Sequence, residues 1–197
     1  WNFSKFKPQQ EAIIEAVLAN EDCIALLPTG GGKSICFQIP ALIREGICIV
    51  VSPLIALMQD QVNTLNAKGI KAMALTSGFS FEDIDRMLDN CIYGNYKFLY
   101  LSPERLQQDL VQQRIKQMNV NLIAVDEAHC ISQWGHDFRP AYREIKLLRT
   151  LHPSVNVIGL TASATSKVIE DISIQLDCID PQIFQTSFRR SNLAYLS

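Results

Sequence analysis

The sequence predicts an α/β fold, a mostly parallel sheet with helices on both faces, and three observations lead to it. Short, largely apolar runs recur at residues 22–27, 47–51, 71–75, 98–101, 122–125 and 155–160. Runs this uniform suit strands buried on both faces, whereas a strand with one wet face would alternate. Helical patterns fill the intervals, which is the alternation that builds a parallel sheet. Each run also ends in small or polar residues, at the edge where such sheets place their ligands.

The chain opens on a polar and aromatic stretch, residues 3–10, with Pro8 in the first turn of a helix predicted over 9–19. Strand 22–27 follows, then Leu26-Leu27-Pro28-Thr29-Gly30-Gly31-Gly32-Lys33-Ser34, then a helix over 34–44. Gly46 breaks that helix, strand 47–51 ends at Ser52-Pro53, and 54–65 is helical. After strand 71–75, a helix over 81–91 opens on Ser80, a good N-cap. Strand 98–101 again ends in Ser-Pro, at Ser102-Pro103, with helical material from 104 to about 117. Strand 122–125 runs into Asp126 and strand 155–160 into Thr161, each with a helix afterward.

The 197 residues are 48% hydrophobic and 19% charged, enough for one ordinary core and hence one domain, taken as 1–186. No internal repeat or low-complexity tract interrupts it, and 187–197 reads as the start of a connector. The net charge of −2 provides no global field for nucleic acid, so any such contact must be local. Six scattered cysteines form no C-x-x-C pair and no Cys/His cluster at metal-ligand spacing, so no zinc is expected. No run reaches the ~18 apolar residues of a membrane span, and no signal peptide is expected. A reducing cytoplasmic or nuclear setting is expected. The chain starts on Trp1 and stops at Ser197, as expected of a piece of a longer protein.

Three consecutive glycines followed by Lys33 and Ser34 between a strand and a helix are the recipe for a phosphate cradle. Glycine lets successive N–H groups turn inward at an anion, and the helix adds its dipole. Lys33 would reach the β- and γ-phosphates and Ser34 would ligate Mg²⁺. Leu27 stands where the G-x-x-x-x-G-K-[ST] pattern has its first glycine. The second signal is Asp126-Glu127-Ala128-His129 at a strand end. A carboxylate there needs a positive partner. Nucleotide-bound Mg²⁺ makes Asp126 the metal-holding acid and Glu127 the group that orients and deprotonates water. The other reading of Asp126 is a cap for the next turn.

These motifs, in this order, resemble the first motor lobe of superfamily 2 helicases, specifically the RecQ DNA helicases. The resemblance runs from Phe3 to the end of the chain and implies a RecA-like lobe that binds Mg²⁺-ATP and DNA. Phe3-Ser4-Lys5-Phe6-Lys7-Pro8-Gln9-Gln10 resembles the adenine-reading motif, which implies Gln10 on the base edge and Phe3 and Lys7 on its faces. Lys7 stands where arginine is usual, and an ammonium stacks less well than a guanidinium. Ser52, Pro53, Ser102 and Arg105 lie in segments resembling those that hold the DNA backbone; by themselves they also read as strand-to-helix punctuation.

His129-Cys130-Ile131-Ser132-Gln133-Trp134-Gly135-His136-Asp137-Phe138-Arg139-Pro140 resembles the aromatic-rich loop that couples DNA binding to ATP hydrolysis in RecQ helicases. Trp134 and Phe138 would stack on unpaired bases and Arg139 would pair with phosphate, with His136 in the same loop. Core residues under a long connection are the alternative. Leu160-Thr161-Ala162-Ser163-Ala164-Thr165 resembles the motif linking nucleotide state to DNA grip, which implicates Thr161 and Ser163.

By this resemblance the parent protein is a 3′ to 5′ DNA helicase of recombination and repair, whose second lobe supplies an arginine finger. The isolated lobe is then expected to turn over ATP poorly, because such a finger is worth ~10³–10⁵ in rate. An RNA helicase, or an ATPase switch that remodels a protein partner, remains the alternative.

Overall fold

The structure, a computed structural model, describes residues 5–7, 9–28 and 30–185; the expectations placed on Phe3, Pro8, Thr29 and the 187–197 connector lie outside the described residues. Seven strands form one sheet: β1 (Cys23–Leu26), β2 (Ile47–Val51), β3 (Ala72–Leu75), β4 (Phe98–Leu101), β5 (Val120–Val125), β6 (Val157–Thr161) and β7 (Gln182–Gln185). Their order across the sheet is β3-β4-β2-β5-β6-β1-β7 and every pairing is parallel.

Side chains alternate between two cores, as a strand's period of two requires. On one face Ile24, Leu26, Ile49, Val51, Leu99, Leu101, Ile123 and Val125 meet α4 (Phe81–Tyr93), α5 (Asp109–Gln117), α6 (Lys146–Leu151) and α7 (Ser166–Gln175). On the other, Cys23, Ala25, Cys48, Val50, Phe98, Tyr100, Leu122 and Ala124 meet α1 (Gln10–Leu18), α2 (Lys33–Ile43) and α3 (Ile55–Ala67). The unbroken apolar runs are thus explained, since both faces of each central strand are covered. Ser80 caps α4 as expected, accepting the Asp83 N–H at 3.1 Å.

Three elements differ from the sequence reading. The helix expected from 104 is a 3₁₀ turn, Pro103–Gln107, that breaks at Gln108 before α5 begins. Burial of Leu106 fixes the turn, and the Gln112 amide seals it by donating to the Leu106 carbonyl at 2.7 Å. The helix expected after Asp126 is instead two 3₁₀ turns, Ala128–Ile131 and Pro140–Ile145, before the short α6. Strand β7 was not foreseen, because Gln-Ile-Phe-Gln at a sheet edge is mostly exposed and lacks the solid apolar run of its neighbours.

Since β5, β6 and β1 are adjacent, their carboxyl ends bring together loops that start at Asp126, Thr161 and Leu27. A buried ion pair fastens the opposite end of this half of the sheet. Asp22 takes both arms of Arg149, at 3.0 and 2.8 Å, and also accepts the Val157 and Ile179 N–H groups.

Candidate active site

The phosphate loop leaves β1 with the Leu27 N–H bonded to the Thr161 carbonyl at 3.0 Å, which ties it to β6 at once. Pro28 and Gly31 close a tight turn at 2.7 Å, and a Cβ on Gly31 would lie 2.6 Å from the Pro28 oxygen. Gly30 and Gly32 sit at φ +75° and +77°, a region that costs other residues ~1–2 kcal/mol. Helix α2 then begins at Lys33 with no side-chain hydrogen bond capping it, which leaves its first N–H groups for an anion.

The loop's own neighbours occupy its polar groups. Lys7 donates from Nζ to the Gly30 carbonyl. The buried Gln10 amide accepts the Lys7 N–H at 2.7 Å and donates to the Gly31 and Gly32 carbonyls at 3.2 and 3.1 Å. Lys7 and Gln10, two of the three residues expected to read a base, therefore hold the cradle itself. Lys33 Nζ lies 3.1 Å from Glu127 Oε1.

Asp126 ends β5, its N–H bonded to the Val51 carbonyl at 2.8 Å and its Oδ1 accepting the Glu127 N–H at 3.0 Å. Burial pushes its carboxyl above the usual carboxylate range, and the Lys33 charge opposes that shift. The buried Ser52 hydroxyl makes no bond of ordinary geometry yet favours the Asp126 anion. Glu127 has φ +47°, a left-handed backbone in which a non-glycine residue is strained, and such strain concentrates at functional sites.

From Glu127 a polar chain crosses to β6. His129 Nδ1 is 3.4 Å from Glu127 Oε2 and 2.9 Å from Thr161 Oγ1. The Thr161 hydroxyl donates to the Ser163 carbonyl at 3.1 Å, so it accepts from His129 and the proton sits on Nδ1. Burial lowers the His129 pKa below its ordinary value, which keeps the ring neutral. Neither this relay nor Tyr142, whose buried hydroxyl donates to the Asp126 carbonyl at 3.0 Å, was given a role from sequence. The only available signal for His129 was its place beside Glu127.

The loop after His129 is half exposed. Trp134 is 62% exposed with Lys167 Nζ 3.2 Å above its ring centroid, and His136 stacks on His129 with centroids 5.0 Å apart. Phe138 is partly buried under the Arg143 guanidinium, and Arg139 lies 3.5 Å from Asp137. A cavity of about 340 Å³ opens between His129, Trp134, His136 and the Ser163–Thr165 turn.

The two Ser-Pro strand ends lie side by side, since the Ser52 N–H bonds the Leu101 carbonyl at 3.1 Å. Pro53 and Ser102 are partly exposed there, and Arg105 spends donors on the Thr76 carbonyl and on Gln108 Oε1. One expectation needs correction. Ser52 is 2% exposed, so its hydroxyl cannot meet the DNA backbone directly, and Thr161, implicated in coupling, is 0% exposed. Both point inward because they terminate central strands, Ser52 toward Asp126 and Thr161 toward His129.

A strained acidic strand end opposite a glycine-rich cradle, at the carboxyl edge of a parallel sheet, is the layout of a P-loop nucleotide-binding fold. Residues 7–172 match the DEAD/DEAH box helicase family, and the chain belongs to it. It is 45% identical to the ATP-dependent DNA helicase RecQ of Bacillus subtilis over 197 residues, 99% of this chain and 33% of that protein. It is 43% identical to the probable ATP-dependent DNA helicase RecS of the same organism, over 98% of this chain and 39% of that protein. The fold is also that of the Pyrococcus furiosus Hef helicase domain, with TM-score 0.69 and 24% identity over 90% of this chain and 37% of that one. The chain spans about a third of the length of the RecQ relative. Among the described residues no helix is long and apolar enough to cross a membrane.

Proposed function

We propose that this chain is the nucleotide-binding lobe of a RecQ-type ATP-dependent DNA helicase, working in the cytoplasm or nucleus and completed by a second lobe outside these residues. One observation carries the reading: the chain Lys33–Glu127–His129–Thr161–Ser163 links the phosphate cradle to the cavity beneath the exposed Trp134.

The residues suit Mg²⁺-ATP. The cradle fits phosphate, because glycines stand where a Cβ would strike Pro28 or Gln10 and the uncapped α2 amides face the loop. The buried Asp126 carboxylate fits a hard divalent cation, with Ser34 at the start of α2 as its partner ligand. Bound Mg²⁺ would neutralise charge on the phosphate oxygens. Lys33 would leave Glu127 for the β- and γ-phosphates, which frees Glu127 to orient and deprotonate the attacking water. His129, held neutral, would then follow Glu127 and shift its bond to Thr161, so the Ser163 turn and the Trp134 loop sense the change. Single-stranded DNA would lie along the carboxyl edge, with Trp134 and Phe138 on its bases and Arg139, Arg105 and the Ser102 turn on its phosphates. Movement from 3′ to 5′ along that strand belongs to the same reading.

The test compares ATP turnover by this chain and by a longer natural chain carrying the next lobe, each with and without single-stranded DNA. DNA-dependent turnover only in the longer chain, lost in Lys33→Ala, is expected. Efficient DNA-independent turnover by the short chain would overturn the assignment.

A further inference from the structure

We propose that His129, Cys130 and Asp137 form a Zn²⁺ site at the root of the aromatic loop. Their ligand atoms all lie within 4.8 Å of one another, with Cys130 Sγ 3.8 Å from His129 Nε2 and 3.6 Å from Asp137 Oδ2. A tetrahedral zinc with ordinary bonds to N, S and O spaces its ligands roughly 3.3–3.7 Å apart, so the two Cys130 contacts already fit to within a few tenths of an ångström, and the half-exposed Asp137 side chain has the freedom to close the remaining gap to His129, which is at most 4.8 Å.

The hydrogen bonds around His129 prepare it as a ligand. Its Nδ1 proton is committed to Thr161 and Glu127, which leaves the Nε2 lone pair aimed at Cys130 from a residue 8% exposed. A metal-bound imidazole shows the same arrangement, with the second nitrogen donating to a hydroxyl or carboxylate that fixes the tautomer. Cys130 is fully buried, and a bound cation would displace its thiol proton so that it ligates as the thiolate. Asp137 is half exposed and paired only loosely with Arg139 at 3.5 Å, which gives a route in from solvent. His136 stacks on the His129 ring and is not a ligand, so the fourth position falls to water. Nitrogen, sulfur and a carboxylate together select a borderline cation, and Mg²⁺ would not compete.

The sequence showed no metal spacing because two ligands are adjacent and the third lies seven residues on, across the 3₁₀ turn Ala128–Ile131. The site stands without the helicase reading. Its consequence rests on that reading: zinc would staple the loop bearing Trp134 to the end of β5 and hold it still.

The experiment titrates Co²⁺ into this metal-free, reduced chain with neither nucleotide nor DNA and follows thiolate-to-cobalt charge-transfer absorption. One equivalent bound tetrahedrally and displaced by Zn²⁺ is expected. Cys130→Ser should abolish the band, and the solvent-side Asp137→Asn should weaken binding about ten-fold or more with an unchanged circular dichroism spectrum. Absence of the band, or an undiminished affinity in Asp137→Asn, overturns the site. So does a band that survives Cys130→Ser, since another of the six cysteines would then be the ligand.

Discussion

Each glycine of the phosphate loop meets a different obstacle, so a series of alanine substitutions dissects the cradle. At Gly30 nothing lies within 4 Å of an added Cβ, and the cost is the left-handed backbone alone. That strain of ~1–2 kcal/mol is partly offset by the stiffer unfolded chain, which leaves about 1 kcal/mol net and a Tm lower by roughly 2–4 °C. At Gly31 the backbone is unstrained, but the Cβ would sit 2.6 Å from the Pro28 oxygen that accepts the residue's own N–H. Carbon–oxygen contacts close at about 3.3 Å, so that carbonyl must retreat by roughly 0.7 Å and the turn opens. The cradle changes shape, and Mg²⁺-ATP affinity should fall at least ~10-fold, about 1.4 kcal/mol. At Gly32 the Cβ would come within 2.3 Å of the Gln10 amide nitrogen and would also be at φ +77°. The amide must leave the Gly31 and Gly32 carbonyls, which adds about 1 kcal/mol for each lost bond to the strain. Gln10→Ala introduced beforehand removes the clash, so the two substitutions should couple in a double-mutant cycle. Thermal unfolding and titration with a fluorescent ATP analogue give both readouts. Unchanged ATP binding in Gly31→Ala, or strict additivity of Gly32→Ala with Gln10→Ala, would refute this account of the loop.

Arg149→Ala should cost about 3–5 kcal/mol in denaturant unfolding, because Asp22, 4% exposed, would lose both arms of its buried partner; a loss under about 1 kcal/mol contradicts the ion pair's role. Lys33→Ala should change the stability of the nucleotide-free chain by less than about 1 kcal/mol while abolishing nucleotide binding, since Glu127 retains His129 at 3.4 Å. Burial lowers the His129 pKa, so the unfolded chain binds a proton more readily than the folded one. Its contribution to stability is therefore complete above pH ~6.5 and lost as pH falls below that. The Tm of His129→Asn between pH 7 and 5 should be the flatter of the two, and parallel curves would place the sensitivity elsewhere. Single-stranded DNA should alter Trp134 fluorescence by displacing Lys167 from its ring, with the change lost in Trp134→Phe and much reduced in Lys167→Ala; an undiminished change in Lys167→Ala would rule out that displacement.

The sheet was legible because a doubly covered parallel strand needs apolar residues at every position, as Ile49, Val50 and Val51 show. Strand β7 was not, since Ile183 and Phe184 between glutamines look the same in a loop; only pairing with β1 makes them a strand. Within the site, Lys33, Asp126 and Glu127 were legible for a local reason. Glycines before a lysine, and acids after a buried run, are written in adjacent letters. Ser52 was misplaced as a direct DNA contact because a hydroxyl at a strand end can face either way, and only the packing around Asp126 turns it inward. His129 itself depends on Thr161, 32 positions along the chain, a distance no local pattern spans.

The strain at Glu127 and the pairing of Lys33 belong to the same device. Without nucleotide, the charges of the cleft satisfy one another: Lys33 holds Glu127, Glu127 leans on His129, and Gln10 and Lys7 hold the loop carbonyls. In the proposed function, bound phosphate would draw Lys33 away, leaving a carboxylate on a left-handed backbone with His129 as its remaining partner. The strain of ~1–3 kcal/mol that the fold maintains there keeps Glu127 from relaxing onto β5. A shift of Glu127 would therefore pass to His129, and from His129 to the Thr161–Ser163 turn and the stacked His136 in the aromatic loop. In the proposed function, occupancy of the cradle and the position of Trp134 would be two readings of one equilibrium, so DNA that moves the loop would change nucleotide affinity by the same factor with which nucleotide changes DNA affinity.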